Sequence, residues 1–327
     1  MKHKPLFMFA ILPLSLTSCV SGIHHNISEY ILETEYSSNY RILQLTDTHL
    51  SDKDDQDKHF AFMDLTIQEA NPDMIVVTGD LFTFASRGTA ERFFKFLDSY
   101  NVPWTVTFGN HDEQCYFSVD WLTSLLNNYG NNCLFKDIQD DNVNGNANFA
   151  INLMQGNSIF EQIIIMDSNR YYFGSYFGYD YFKADQIAWY ERLVDHTKEQ
   201  NGGTTVESLM FYHIPLPEIN EAWDKANDGS GEATLKFGEK GEKSCPPEEN
   251  SGFFNIIVEK GSTKAMLFGH DHVNNFIVNY KGVDFAYGVK STDRIYFQDS
   301  LLGGRVVVIH DDHSLTYEDF YHTYEEL

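Results

Sequence analysis

Five short clusters of metal-binding or proton-transferring side chains recur along the 327-residue chain. They are Asp47-Thr48-His49, Gly79-Asp80, Gly109-Asn110-His111-Asp112, the single His213, and Gly269-His270-Asp271-His272. Carboxylate, imidazole and one carboxamide, without a thiolate, make a mixed oxygen and nitrogen donor set. Such a set suits Mn, Fe or Zn and poorly suits Cu(I) or a structural zinc site. Asp47, His49, Asp80, Asn110, His213, His270 and His272 are too many ligands for one ion and match two ions sharing a bridge, for which Asp80 is the central candidate. Two ions about 3.5–4 Å apart clamp the attacking and leaving oxygens of an in-line displacement and lower the pKa of a water between them. Taken singly the clusters are weak. Gly-Asp is a common turn or helix cap, and a strand-end histidine is more often a hydrogen-bonded core residue than a ligand.

Their placement gives them weight. Each follows a short apolar run: 41–46 (RILQLT), 74–78 (MIVVT), 104–108 (WTVTF), 209–212 (LMFY) and 265–268 (AMLF). Runs of this kind read as buried central strands. Helix-like stretches lie between them at 57–70, 87–100, 118–129, 185–199 and 252–260, and the alternation predicts an α/β fold. The carboxyl ends of strands in an open α/β sheet share one edge, where ligands bind, so side chains scattered along the sequence can converge. Gly79, Gly109 and Gly269 stand immediately before a polar residue, where a missing side chain permits close approach of backbone to ligand. Further strands are expected at 147–153, 159–166, 276–280, 284–287, 304–309 and 315–318, the last of these forming an antiparallel meander. The segment 224–250, rich in Gly, Lys, Glu and Pro, reads as a surface loop with two or three short turns.

In this order, each after an apolar strand, the clusters resemble the calcineurin-like metallophosphoesterase pattern: D-x-H, G-D, G-N-H-[DE], a lone H, and G-H-x-H, over roughly residues 40–310. The tracts RILQLTDTHL, VPWTVTFGNHDEQ, FYHIPLPE (211–218) and GHDHVNNF (269–276) are similar to the purple-acid-phosphatase-like branch. So is Met166-Asp167-Ser168 leading to Gly178-Tyr179 and Gln186-x-x-Trp189. The resemblance implies a four-layer α/β/β/α sandwich of two mixed β-sheets, with a dinuclear metal site at the strand ends. It implies one ion on Asp47, His49, Asp80 and His272, and another on Asp80, Asn110, His213 and His270. His111 is implied as general acid or transition-state stabiliser, oriented by Asp112. The implied reaction is hydrolysis of a phosphoester by a metal-bridging hydroxide, with no covalent phosphoenzyme. Phosphodiesterase or nucleotidase activity at the same site is one alternative, and a surface binding lipoprotein with a vestigial site is another. Two departures from true purple acid phosphatases stand out. His49 replaces a non-ligand, and Thr83 replaces the tyrosine ligand to ferric iron, so neither tyrosinate colour nor obligatory Fe(III) is expected.

Charge narrows the substrate. The chain carries 23 Lys and Arg against 48 Asp and Glu, a formal charge of −25, which argues against a nucleic-acid polymer because no counterions would be released. A bound phosphate is then small, or held locally by added positive charge such as two metal ions. Arg170 is the candidate side-chain contact to a substrate phosphate.

Residues 1–18 carry Lys2 and Lys4 ahead of an apolar stretch, Leu6 to Leu16, and read as a secretory signal too short to span a bilayer. Leu16-Thr17-Ser18-Cys19 resembles the bacterial lipobox, which implies acylation of Cys19 and an extracytoplasmic lipoprotein anchored to the membrane. Residues 19–39 then form the lipidated cysteine and a polar tether, and 40–327 one catalytic domain. Asp140-x-Asn142-x-Asn144-Gly145 fits half of a calcium loop, but Ile151 stands where a bidentate Glu is needed. Asn144-Gly145 therefore reads as a type I′ hairpin turn. Cys115 and Cys133 could pair outside the cell or remain free thiols.

Overall fold

The computed structural model describes residues 25–130, 132–140, 142–175 and 177–327. The expected signal segment and Cys19 lie outside the described residues. In chain order the strands are β1 (Ile31–Glu35), β2 (Tyr40–Leu45), β3 (Met74–Thr78), β4 (Trp104–Thr107), β5 (Phe149–Gln155), β6 (Ser158–Ile165), β7 (Tyr171–Phe173), β8 (Phe177–Tyr179), β9 (Ser208–Phe211), β10 (Ala233–Phe237), β11 (Thr263–Phe268), β12 (Ile277–Tyr280), β13 (Val283–Tyr287), β14 (Gly303–Ile309) and β15 (Leu315–Tyr321). The α-helices are α1 (Gln56–Ala70), α2 (Arg87–Asp98), α3 (Val119–Asn127), α4 (Ala184–Gln200), α5 (Glu218–Asn227) and α6 (Phe253–Lys260).

Two mixed sheets carry the fold. The smaller runs β15-β14-β2-β3-β4, with β2, β3 and β4 parallel; the larger runs β1-β5-β6-β9-β11-β13-β12-β10, with β6, β9, β11 and β13 parallel. Side chains alternate faces along a strand, so a strand buried on both sides is apolar throughout. Leu209 and Phe211 of β9 and Ala265 and Leu267 of β11 enter the core between the sheets, joining Ile42, Val76 and Val307 of the smaller sheet. Met210 and Met266, on the opposite face, pack with Trp189 and Leu193 of α4 and Phe253 of α6. Phe93, Phe94 and Leu97 of α2 and Leu122 of α3 belong to the first core. The four-layer α/β/β/α arrangement is therefore as expected.

Local signals stop the helices where strands must begin. The Asp55 side chain accepts from the Lys58 N–H to start α1, and Asn71 ends it in the left-handed region (φ 42°) just before Pro72. The two sheets are clamped by Arg305 of β14, which is wholly buried. Its guanidinium donates to the carbonyls of Tyr287 and Asn275, from the larger sheet and its loops, and forms a two-pronged pair with Asp319 of β15 at 2.6 and 2.7 Å.

Four expectations need correction. The tether does not extend to residue 39, because Tyr30 is buried against Trp189 and β1 pairs in parallel with β5 as the edge of the larger sheet. The 224–250 segment is not all loop. It holds the end of α5 and the edge strand β10, whose side chains are exposed apart from Ala233, so no apolar run marked it. The last four strands do not form one meander: β12 and β13 make a hairpin in the larger sheet, β14 and β15 another in the smaller. Asn144-Gly145 joins no two strands, since β5 begins at Phe149 and only Gly145 of the pair has positive φ (83°).

Candidate metal centre

The loops leaving β2, β3, β4, β9 and β11 bring the sequence-predicted ligands to one edge. Donor atoms of Asp47, His49, Asp80 and His272 lie within 4.8 Å of one another, and so do those of Asp80, His213 and His270. Asp80 is common to both groups, as a bridge must be. Its Oδ2 is 3.5 Å from His49 Nε2 and 3.3 Å from His213 Nε2, while Asp47 Oδ1 is 3.4 Å from His272 Nε2.

The backbone is strained to achieve this. Asp47 (φ 53°), His49 (φ 45°), Asp80 (φ 48°) and His270 (φ 81°) all lie in the left-handed region, which costs a residue with a Cβ on the order of 1–3 kcal/mol. Two glycines make room. A Cβ on Gly109 would stand 2.3 Å from Asp80 Oδ1, and one on Gly269 would stand 2.5 Å from Asp47 Oδ2.

The second contacts of the ligands leave the metal-facing atoms free. His213 Nδ1 donates to the Thr78 carbonyl at 2.8 Å and His272 Nδ1 to the Tyr296 carbonyl at 2.9 Å. A carbonyl only accepts, so in both rings Nε2 keeps its lone pair for a metal. His49 Nδ1 lies 2.8 Å from Thr83 Oγ1, so the residue that replaces a tyrosine ligand supports a ligand instead. Asn110 donates through Nδ2 to the Tyr171 hydroxyl at 3.0 Å, and its buried Oδ1 has no hydrogen-bond partner. Orphaned buried acceptors in an acidic and imidazole-rich cluster fit a pair of divalent cations well.

Burial opposes ionisation of Asp47 and Asp80, yet the facing His272 and His213 hold both carboxyls well below the usual range. Burial also opposes protonation of His213, but Asp80 lifts its pKa to about 10, so a metal that takes Nε2 displaces a proton there. Burial and the charge of His213 push His270 down to about 3. Lys290, missed by the sequence reading, is fully buried and donates to the Asp47 carbonyl at 2.8 Å; burial brings its pKa down to about 8. It reaches this edge because it follows β13, which runs parallel to β11.

His111 lies beside the ligands, its ring edge-on to His49 at 5.0 Å. Asp112 does not orient it. The Asp112 carboxylate accepts from the backbone N–H of Phe82 (3.0 Å) and Gly109 (2.7 Å), shaping both ligand loops, and burial together with Asp80 raises its pKa to about 7. Gln114 takes the orienting part: its Oε1 is 2.9 Å from His111 Nδ1, because a single 3₁₀ turn (Asp112–Gln114) brings the two side chains together. Arg170 contacts Asn146 (3.0 Å) and Asp167 (3.8 Å), and among the described residues no hydrogen bond or ion pair joins it to the seven ligands.

Two aromatic ridges flank the cluster, and of their residues only Tyr179 stood in a tract singled out in the sequence. The Tyr179 ring stands edge-on to His270 at 4.3 Å, on the β7–β8 hairpin that also exposes Phe173 and Phe177. Tyr296 stacks on His272 at 4.1 Å, between exposed Ile295 and Phe297. In the 140–151 segment, Asp140 is engaged by the Tyr30 hydroxyl and Asn142, and among the described residues no metal-binding group includes it. Cys115, Cys133 and Cys245 are free thiols.

Comparison with known proteins agrees with this geometry. The chain is 25% identical over 325 residues to "Probable inactive purple acid phosphatase 29" of Arabidopsis thaliana, spanning 88% of this chain and 81% of that one. It is 24% identical over 265 residues to phosphatase DCR2 of Saccharomyces cerevisiae, spanning 72% of this chain and 44% of that one. Its fold is shared with the crystal structure of a dimetal phosphatase from Danio rerio, at a TM-score of 0.57, 12% identity and coverage of 86% and 96% of the two chains. The profile of the calcineurin-like phosphoesterases matches residues 40–274, across both ligand groups, and the chain belongs to that family.

Proposed function

We propose that the protein is an extracytoplasmic, metal-dependent phosphatase acting on small phosphorylated substrates. The observation that carries this reading is the intact double ligand set, two groups sharing Asp80 with Asn110 Oδ1 left unpartnered beside them. Asp47, His49, Asp80 and His272 would hold one ion and Asp80, Asn110, His213 and His270 another, and these would supply Lewis-acid polarisation of a phosphoryl oxygen and a more acidic water. The protein's own part is to orient and to handle protons. With the Nδ1–H of His111 donated to Gln114 Oε1, Nε2 is the nitrogen left to face a leaving oxygen, to which the doubly protonated imidazolium form gives its proton. The acidic body disfavours a polyanion, and the two aromatic ridges favour a leaving group with an apolar or planar face. The lipobox-like Cys19 supports membrane anchoring through an N-terminal lipid.

Hydrolysis of an aryl phosphomonoester and the matching diester, after chelation and separate re-addition of Mn, Zn, Fe or Mg, tests the reading. Metal-dependent turnover that favours the monoester is expected. A preference for the diester selects a phosphodiesterase, and silence with every metal selects a surface binding lipoprotein, the second reading prompted by relatives named inactive. Lipid labelling lost in Cys19→Ala tests the anchor.

A further inference from the structure

A second group of metal-binding side chains lies at the other end of the sandwich. Glu161 of β6, Glu207 just ahead of β9, and His313 in the β14–β15 turn place donor atoms within 4.8 Å of one another. β6 and β9 run parallel, with Gln162 opposite Ser208, so Glu161 and Glu207 sit side by side near the strand starts. The strand ends on the far side lead to the metal centre. The β14–β15 turn reaches the same edge because β14 is antiparallel to β2, with Ile309 opposite Tyr40.

Three observations set this group apart from a surface ion pair. Glu161 is wholly buried, and although His313 Nδ1 is 3.1 Å from its Oε2, its Oε1 has no hydrogen-bond partner. A buried carboxylate with one oxygen unpaired is unfavourable unless a proton or a cation completes it. The His313 ring is fixed by stacking on Phe160 at 4.3 Å, so its position does not depend on the ion pair alone. Beside the group lies a cavity of about 280 Å³, lined in part by Ser158, Thr204, Glu207 and His313, which gives a path for a hydrated ion and room for water ligands. Glu207 is otherwise engaged only loosely, 3.5 Å from Lys264 Nζ.

We propose that Glu161, Glu207 and His313 bind a third divalent transition-metal ion, of which Zn²⁺ is the best match. Two carboxylates and one imidazole, with water completing the shell, form a set that suits Zn²⁺ and resists soft monovalent metals. The ion staples the β14–β15 turn of the smaller sheet to β6 and β9 of the larger, at the edge remote from the catalytic chemistry. It takes no part in turnover.

The purified full-length protein, stripped by chelation and dialysed against Zn²⁺, is assayed for metal per chain and for aryl phosphate hydrolysis. Three equivalents are expected in the wild type, two in His313→Ala and in Glu161→Gln with hydrolysis unchanged, and one in Asp80→Asn. His313 is exposed, so its variant tests the site even if the buried Glu161→Gln fails to fold. Equal zinc in wild type and His313→Ala overturns the proposal and leaves an ion pair. If the wild type holds one equivalent that His313→Ala removes, the third site stands and the dinuclear reading falls.

Discussion

Nε2 of His49 and Nε2 of His272 face each other at 3.1 Å, and the Tyr296 carbonyl fixes the hydrogen of His272 on its other nitrogen. A lone pair pointed at a neighbouring ring at this distance is stable only with a proton or a cation between. Chelation should therefore destabilise the fold. Re-adding metal at 100 times its dissociation constant should restore about 2.7 kcal/mol, read as a rise in the thermal midpoint. Identical unfolding curves with and without metal would contradict a preformed metal centre.

Asp80→Asn keeps the shape of the bridging side chain and removes its charge. The variant should fold, lose turnover, and release both catalytic ions, because Asp80 stands in both ligand groups. Metal analysis after gel filtration gives the answer. Retained activity would show that the bridge has been misassigned.

His111→Ala should slow turnover by about 10²-fold or more with both metals still bound. Gln114→Ala, which frees the His111 ring rather than removing it, should show a smaller loss in kcat with KM little changed. An equal loss in the two variants would mean that His111 acts only when held by Gln114.

Tyr171→Phe deletes the hydroxyl that receives the Asn110 amide at 3.0 Å. The carboxamide is then free to turn its nitrogen toward the metal. Metal affinity should fall by roughly 10- to 100-fold, the usual penalty for removing a supporting contact behind a ligand. Titration of the stripped variant with a colorimetric competitor measures it.

Tyr30→Phe removes the hydrogen bond to Asp140 Oδ2 (2.6 Å) that secures the start of β1. Burial favours the neutral acid, but the Tyr30 and Asn142 contacts hold the Asp140 carboxyl below its ordinary pKa. Stabilisation from a depressed carboxyl is full above the unfolded value and is lost as pH falls through the folded one. Wild type should exceed the variant by about 1 kcal/mol at neutral pH, reduced where the carboxylate is solvated, and the gap should shrink below about pH 4. A gap independent of pH would assign the effect to packing.

The ligands were legible because buried parallel strands leave a clear trace: an apolar run, then a turn carrying the reactive side chain. Asp47, Asp80, Asn110, His213 and His270 all obey that grammar. Edge elements do not. In β1 and β10 most side chains are at least partly exposed, so their sequences carry no apolar run. Helix α5 follows Pro215 and Pro217, which masked it as a loop. Sheet membership of β12 to β15 depends on partners far away in sequence, notably β2 for β14. The neighbours of the ligands, such as Tyr171, Gln114 and Tyr296, act through single contacts and have no periodicity to betray them.

The candidate metal ligands are divided between the sheets, with Asp47, His49, Asp80 and Asn110 on loops of the smaller and His213, His270 and His272 on loops of the larger. Neither half of the chain can assemble either ion-binding group alone, because each group draws on both. Formation of either group thus requires that the two sheets have come together. A chain whose two sheets have not docked therefore lacks both complete ligand groups.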